Sequence, residues 1–250
     1  MPARLAHLNL SDAAFIAASS QVLLAPISNL QQEHVLRRWR SAAASAFFVA
    51  DLGGLQSIDV CAVMGLTGDT IRFRYSTTDA TGDAGDAWDS GVLAIDQLYL
   101  QALDLRPAPI VARYVRVDID GGTDPFVEAG RLFVGLTETF GINFGYGWQR
   151  GWIDPSSLRK TEGGQTQIKR KTKTRVVEVA FDNLTKPERD GLVEQIDGAN
   201  GLTDDILFIG DPVSPNLARD SIFGLMTDLS PVSAPVFGRY SKPYKIEGRL

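Results

Sequence analysis

The 250-residue sequence lacks most of the side chains from which enzymes build metal centres and catalytic triads. It contains one cysteine, Cys61, and two histidines, His7 and His34. A single cysteine excludes an internal disulfide, and so few thiols and imidazoles leave a zinc site without ligands. No nucleophile-elbow pattern and no phosphate-binding glycine loop is present. We therefore expect no catalytic residues, no cofactor and no metal, and we interpret the protein as a non-enzyme.

The sequence also lacks a long apolar run and an excess of basic charge. No stretch of about 18 apolar residues occurs, so we expect no membrane span, and the N-terminus does not have the layout of a signal peptide. Lys and Arg number 25 against 30 Asp and Glu, which gives a net charge of −5. Phosphate binding relies on Lys and Arg. We therefore expect a protein made in a cytoplasm, without a nucleic-acid partner and without membrane insertion.

Short segments with strand periodicity fill the first half of the chain. Residues 70–77 alternate strictly, with Ile71, Phe73 and Tyr75 on one face and arginines on the other. Residues 110–120 alternate in the same way, and further apolar segments lie at 46–53, 55–66, 91–103 and 128–138. Several short strands separated by turn residues are typical of an antiparallel β-sandwich. The sequence therefore predicts a first domain of this class at residues 1–136.

The second half, residues 137–250, predicts a separate β-rich domain. Residues 163–184 have the pattern of one long strand, basic in its first part and apolar in its second. Thr185 precedes Pro187 and Glu188, a combination typical of a capped helix N-terminus, and Gly198 marks the expected end of this short helix. Residues 204–212, 221–229 and 244–250 are further strand candidates. The fold class expected for the whole chain is therefore mainly β with one short helix.

The stretch 77–91 is strongly acidic, with aspartates at positions 79, 83, 86 and 89. A calcium loop of the EF-hand type needs carboxylates at alternate positions and a glutamate at its twelfth position. Here the aspartates are three or four residues apart and glutamate is absent. The spacing favours a polar loop between strands, and a looser calcium site formed by two of the aspartates is the alternative.

Two segments of the second half are candidates for contact with a partner. The aromatic candidates are Phe140, Phe144, Tyr146, Trp148 and Trp152, and the basic candidates are Lys169, Lys171, Lys173 and Arg175, which would share one face of a strand. The aromatic residues are interpreted as a subunit interface, a sugar-stacking surface or simply a small core. The basic face is interpreted as a contact with an acidic surface or as a charged edge that discourages strand pairing. In the first half, Trp88 is the best candidate for an aromatic sugar platform.

Five segments of the first half resemble discoidin-like, galactose-binding-type jelly rolls. In chain order they are FFVADLGGLQSIDVCAVMGL, IRFRYST, WDSGV, ARYVRVDID and GRLFVG, and together they span roughly residues 40–136. The resemblance implies an N-terminal jelly roll. Sugar-binding members often carry a pair of cysteines that clamps the termini, whereas this chain has one cysteine. The resemblance therefore does not extend to sugar binding.

The continuation of the chain is similar to structural proteins in the tails of long-tailed bacteriophages. The similarity rests on INFGYGW, LTKPERDGL and ILFIGDP following the jelly-roll segments. It implies a distal-tail or baseplate component that forms a symmetric homo-oligomeric ring between the tail tube and the host-facing proteins. Its partners would be itself and neighbouring tail proteins, and its location would be the virion tail, assembled in the host cytoplasm. The alternative function is a carbohydrate-binding module that attaches to host-surface glycans.

Overall fold

The computed structural model describes residues 2–249, which form mainly antiparallel strands. Met1 and Leu250, the outermost residues of the two predicted domains, lie outside the described residues. The strands of the first half are β1 (Arg4–Ala6), β2 (Phe15–Ala18), β3 (Trp39–Arg40), β4 (Ser45–Met64), β5 (Thr70–Ser76), β6 (Trp88–Ala94), β7 (Gln101–Asp120), β8 (Glu128–Ala129) and β9 (Arg131–Gly135). Short 3-10 helices lie at Leu10–Ala13 and Ile27–Gln31.

The second half contains eight further strands and three short helices. The strands are β10 (Gln149–Ile153), β11 (Ser157–Lys160), β12 (Thr166–Lys169), β13 (Thr174–Leu184), β14 (Ile206–Ile209), β15 (Ser221–Met226), β16 (Ser233–Val236) and β17 (Arg239–Gly248). The helices are α1 (Lys186–Glu188), which continues through a π-helical segment (Arg189–Val193) into α2 (Glu194–Ala199), and α3 (Leu217–Asp220). The expected mainly β fold class is confirmed. None of the helices within residues 2–249 is long and apolar enough to cross a bilayer.

The first half is a β-sandwich organised by two strands of twenty residues each, β4 and β7. Its sheet has the order β2-β4-β7-β5-β6, with β9 paired to β4. The sequence predicted each long strand as two separate ones, which is wrong. The pairing of β4 with β7 shifts register between Asp51 and Gln56 and again between Ile58 and Val60. Such bulges bend a strand without ending it, so the two strands continue as one bent ribbon.

The bend brings the two ends of the β4–β7 ribbon together around one core. Phe48 and Phe73 from one layer and Val63 and Leu132 from the other belong to the same cluster of buried apolar side chains. Cys61 lies in this cluster, fully buried, and burial raises the pKa of its thiol. The cysteine is therefore a neutral core residue, as its apolar flanks indicate.

The second half forms a sheet with the order β1-β14-β15-β17-β13-β10, and β16 pairs with β17. The α1–α2 segment covers part of one face and buries Val193 and Ile196 against it. Its predicted start is confirmed, because the Thr185 hydroxyl accepts from the Glu188 N–H and the Glu188 carboxylate accepts from the Thr185 N–H at 2.7 Å. The helical segment ends at Ala199, one residue beyond the predicted stop.

The long strand predicted over residues 163–184 is wrong. Strands β11 and β12 form a separate hairpin, residues 170–173 have no regular structure, and β13 begins at Thr174. The chain reverses at Gly163 and Gly164, the second of which has a φ of +79°. Pro155 lies opposite the irregular segment and has no N–H to donate to it. The Lys171 N–H donates to a side chain, the Ser156 hydroxyl, at 2.9 Å. The β11–β12 ladder is therefore separate from the β10–β13 ladder.

A buried interface joins the sandwich to the second sheet. Strand β1, from the N-terminus, pairs with β14, so residues 4–6 complete the sheet of the second half. Phe133 and Val60 of the sandwich pack with Phe223 and Leu207 in a common apolar cluster. The buried Gln101 amide donates to the Ala218 carbonyl at 2.6 Å across the same interface. The division of the chain near residue 136 stays a prediction, and the placement of β1 shows that the first half contributes one strand to the sheet of the second half.

Candidate functional site

The acidic stretch 77–91 directs two of its four aspartates at arginines of the sandwich. Asp89 accepts from the Arg72 Nε at 2.9 Å, and Asp83 accepts from the Arg74 guanidinium at 2.6 Å. The Arg72 guanidinium is the main reason why the pKa of Asp89 is lowered to about 2. These carboxylates neutralise basic side chains of β5.

The other two aspartates of the stretch organise the loop itself. Asp79 accepts from the Ala84 N–H at 2.9 Å, and Asp86 accepts from the hydroxyl groups of Ser76 and Thr77. The Ser76 hydroxyl, followed by that of Thr77, lowers the pKa of Asp86 to about 2. Each aspartate of the stretch thus has donors from the protein, and the geometry favours a polar loop.

A buried polar pair lies beneath this loop. The Tyr75 hydroxyl donates to the Asp104 carboxylate at 2.9 Å, and burial raises the pKa of both groups. Trp88 packs above them, and the Arg106 guanidinium covers its ring at 3.2 Å from the centroid. Because the arginine occupies the face of the indole, Trp88 does not present an open platform for a sugar.

The aromatic segment of the second half divides between core and surface. Phe140 is buried in the core, with its ring centroid 4.4 Å from that of Phe181, and is therefore not available as a partner contact. Phe144 is half-buried, whereas Trp148 and Trp152 are about half exposed and Tyr146 is fully exposed. The expectation of one aromatic contact surface is thus wrong for Phe140, because this ring fills the space between the sheet and the helical segment.

The basic candidates do not share the face of one strand. Lys169 ends β12, Lys171 and Lys173 lie in the irregular segment, and Arg175 lies on β13. Arg175 turns inward, where its guanidinium donates to the Ala218 carbonyl at 3.2 Å and lies 4.7 Å from the ring centroid of Tyr99. The three lysines are exposed, so they retain the solvent-facing charge that the sequence predicts, whereas Arg175 does not.

A cleft of about 280 Å³ opens where the helical segment no longer covers the second sheet. The α1–α2 segment spans fourteen residues, or about 21 Å of helix, which is shorter than the eleven-residue strand β13 at about 36 Å. The uncovered end of the sheet is partly covered by Phe144 and Trp148, whose ring centroids are 5.7 Å apart. We call this space the aromatic cleft; its apolar walls are Phe144, Trp148, Val177, Phe208 and Ile222.

Charged side chains surround the rim of the aromatic cleft. Asp220 accepts from the guanidinium groups of Arg150, at 2.5 Å, and Arg219, at 2.7 Å, and from the Ser214 hydroxyl. The arginine and serine donors lower the pKa of Asp220, so its carboxylate stays ionised at neutral pH. Asp211 also lines the rim and is exposed. The cleft therefore combines an apolar interior with charges of both signs at its entrance.

Residues 149–175 form a second unusual surface, which we call the basic ribbon. It consists of β10, the β11–β12 hairpin and the start of β13. The ribbon contains eight Lys and Arg and two Asp and Glu, a net charge of +6. The remaining residues carry 25 − 8 = 17 basic and 30 − 2 = 28 acidic side chains, a net charge of −11. Charge is thus sharply separated along the chain.

The basic ribbon also exposes apolar side chains. Leu158 and Ile168 face each other across the hairpin and are 73% and 56% exposed. All eight residues of β11 and β12 are exposed. At its base, β10 is the last strand of the sheet, and Trp152 projects from it half exposed. The ribbon thus combines exposed apolar and basic side chains.

Comparison with known proteins gives similarity at the level of solved structures. No family model and no curated protein matches the chain. A chitosan-binding module from the chitosanase/glucanase of Paenibacillus sp. IK-5 is 18% identical, with a TM-score of 0.40, over 52% of this chain and 98% of that one. A family 32 carbohydrate-binding module from C. perfringens NanJ, in complex with galactose, is 14% identical, with a TM-score of 0.43, over 54% and 99%.

A Ruminococcus gnavus GH29 fucosidase in complex with fucose is 15% identical, with a TM-score of 0.45, over 52% of this chain and 27% of that one. These identities and TM-scores are too low to carry a ligand or an activity to this protein. The β-sandwich described here rests on the strand order and on the shared core of β4, β7 and β9.

Proposed function

We propose that the protein is a non-catalytic structural component that assembles with copies of itself through the basic ribbon. The setting implied by its sequence resemblance is the tail tip of a long-tailed bacteriophage, where a symmetric ring would connect the tail tube to host-facing proteins. The observation that carries the proposal is the β11–β12 hairpin, which extends from the sheet with all eight strand residues exposed.

An isolated two-stranded hairpin is marginally stable in water because it buries too little apolar surface to offset its conformational entropy. The Leu158–Ile168 pair is the apolar content of this hairpin, and it faces solvent. A partner that covers this pair supplies the missing burial. Covering the two side chains is worth about 1.5–3 kcal/mol each when burial is complete. The exposed hairpin therefore supports an assembly role.

Charge supports a second copy of this chain as the partner. A ribbon with a net charge of +6 and a remainder with −11 attract each other between copies. Such attraction steers association and is weakened by salt, because the screening length is about 8 Å at physiological ionic strength. Strand β10, which pairs with β13 alone among the strands of residues 2–249, also offers a free edge for a strand from a neighbour.

The test is the double variant Leu158→Ser with Ile168→Ser, compared with Leu23→Ser with Leu24→Ser. The control leucines are 91% and 92% exposed, and they lie outside the ribbon. Sedimentation at low and high salt measures the assembly state. We expect the wild type and the control to assemble in a salt-sensitive manner and the ribbon variant to be monomeric, with circular dichroism showing that both variants are folded. A ribbon variant that assembles like the wild type contradicts the proposal.

Carbohydrate binding by the sandwich is the second candidate function, and one cleft favours it. Arg38 and Arg40 both pair with Glu128, at 3.1 and 2.6 Å, beside the exposed Leu36 and Leu24. Charged donors and acceptors next to an apolar surface suit the hydroxyl groups and the carbon face of a sugar ring. The cleft measures about 830 Å³, within the usual range for ligand sites.

A glycan array probed with the wild type and with Glu128→Gln tests this second function. We expect binding of at least one glycan by the wild type and its loss in the variant, because the carboxylate positions both arginines. Phe237→Ala, on the second half of the chain, is the control and retains binding. An absence of binding by the wild type rejects the carbohydrate function and leaves the assembly proposal unaffected.

A further inference from the structure

The most exposed phenylalanine of the described residues lies at the tip of a tight turn. Phe237 is fully solvent-exposed, at 103% of its reference area, and it lies between β16 and β17. Val236 pairs with Arg239, so the turn consists of Phe237 and Gly238 alone, with Gly238 at a φ of +73°. Such a short turn holds the ring outward. A large apolar side chain presented on a rigid turn is the form taken by anchor residues in protein interfaces.

We propose that Phe237 of one copy inserts into the aromatic cleft of the next copy. This inference rests on the proposed self-assembly and specifies a contact within it. The cleft volume of about 280 Å³ exceeds the roughly 150 Å³ of a dry apolar cavity that accommodates benzene. It accommodates a phenyl ring together with part of Val236, which is also exposed.

The chemistry of the aromatic cleft suits an aromatic ring. Phe144 and Trp148 form its outer wall, and an aromatic ring that packs against them gains stabilisation beyond the burial of its area. Arg150 already lies 5.9 Å from the Trp148 centroid and provides a cation at the rim. A guanidinium group over an aromatic face is attractive. Both features favour an aromatic side chain over a simple aliphatic one.

The charges beside the Phe237 turn and at the rim of the aromatic cleft are complementary. Arg239 follows Phe237 by two residues and is exposed, whereas Asp211 is an exposed carboxylate at the rim of the cleft. The proposed contact pairs this arginine with the aspartate. An opposite-charge pair at the edge of an apolar contact fixes its orientation.

The contact is between copies because Phe237 lies at the far end of the sheet from its own cleft. Val177, a wall of the cleft, pairs with Ile246, and the strand then runs seven residues back to Arg239. At about 3.3 Å per residue these levels are roughly 23 Å apart. The donor turn and the acceptor cleft are different surfaces, so the contact is head-to-tail and generates a ring or a filament.

The experiment is a disulfide cross-link between Arg239→Cys in one copy and Asp211→Cys in the other, which leaves Phe237 in place. The native Cys61 is buried, so the introduced cysteines react alone. We expect a disulfide dimer on a non-reducing gel when the two variants are mixed under mild oxidation. In the control, the second copy carries Val111→Cys in place of Asp211→Cys. Val111 is exposed and lies on the sandwich.

A second variant tests the anchor itself. Adding Phe237→Ala to Arg239→Cys removes the cross-link while circular dichroism shows a folded chain, because the ring contacts solvent in the monomer. Cross-linking no stronger than in the control, or unaffected by Phe237→Ala, overturns the inference. If the wild type assembles by sedimentation and the cross-link is absent, only this contact is wrong. If the wild type is monomeric, the proposed function fails as well.

Discussion

Replacing Phe133 with alanine tests whether the two halves of the chain unfold together. Phe133 lies on β9 of the sandwich, is fully buried, and packs edge-on against Phe223 of the second sheet with ring centroids 6.2 Å apart. Truncation of a buried phenylalanine costs about 3–5 kcal/mol, from lost apolar transfer and the cavity that remains. In a protein of this size each kcal/mol lowers the melting temperature by about 2–4 °C. For a truncation that leaves one common transition, the expected decrease in melting temperature is therefore roughly 6–20 °C.

The matched control is Phe48→Ala. Phe48 is equally buried but lies in the core of the sandwich, where its ring is 5.6 Å from that of Trp39. Both variants lose the same side chain from a fully buried position. If the interface couples the two halves, Phe48→Ala lowers the temperature of one common unfolding transition. Phe133→Ala instead splits the transition, because it weakens the contact through which one half stabilises the other.

Differential scanning calorimetry measures both outcomes. We expect one transition for the wild type, one at lower temperature for Phe48→Ala, and two or one strongly broadened transition for Phe133→Ala. Two independent transitions in the wild type, with the second unaffected by Phe133→Ala, refute the reasoning. That result would mean that the strand β1 and the apolar cluster around Phe133 do not transmit stability between the halves.

Three further predictions concern single sites. Arg72 lowers the pKa of Asp89 from 3.8 to about 2, so the stabilisation from this pair is complete above about pH 4 and is lost as the pH falls toward 2. Acid unfolding of Asp89→Asn should lack this component, and an acid-unfolding profile identical to that of the wild type would contradict the prediction. Gly224→Ala should destabilise the folded protein by about 1–3 kcal/mol, because the added Cβ atom would lie 1.9 Å from a backbone carbonyl oxygen of β17. In the control Gly151→Ala, on the same sheet, the Cβ atom meets open space, and the melting temperature should stay unchanged. Cys61 should react with a thiol reagent in denaturant and not in the native protein, since burial keeps it protonated, and rapid native labelling would refute this.

Local patterns in the sequence predict local structure well. The alternation of Ile71, Phe73 and Tyr75 places these three side chains in the core, as found. The Thr185–Glu188 capping box begins the helical segment at the predicted residue. Both features depend on neighbours within one strand or one turn, where periodicity and side chain to backbone hydrogen bonds determine the conformation.

Long-range pairing is where the sequence misleads. The alternation around Arg74 indicates a solvent face, yet Arg74 is buried because Asp118, on β7, and Asp83, in the acidic loop, neutralise it from distant parts of the chain. Strand β1 likewise joins a sheet whose nearest strand begins two hundred residues later, at Ile206. No local signal identifies either partner, because the side chains that decide the outcome come from elsewhere in the sequence.

The candidate contact residues divide into buried and exposed side chains, and the sequence alone does not distinguish them. Phe140 and Phe144 lie only four residues apart, but one fills the core and the other lines a cleft, according to how far the helical segment reaches across the sheet. The Leu158–Ile168 pair and Phe237, which lie on two-stranded hairpins, are exposed, as are other large apolar side chains such as Phe15 and Leu23. Apolar side chains held outward by short, rigid hairpins satisfy no requirement of the monomer. A partner surface is therefore needed to bury them. The acidic remainder of the chain favours a second copy of the chain as that partner.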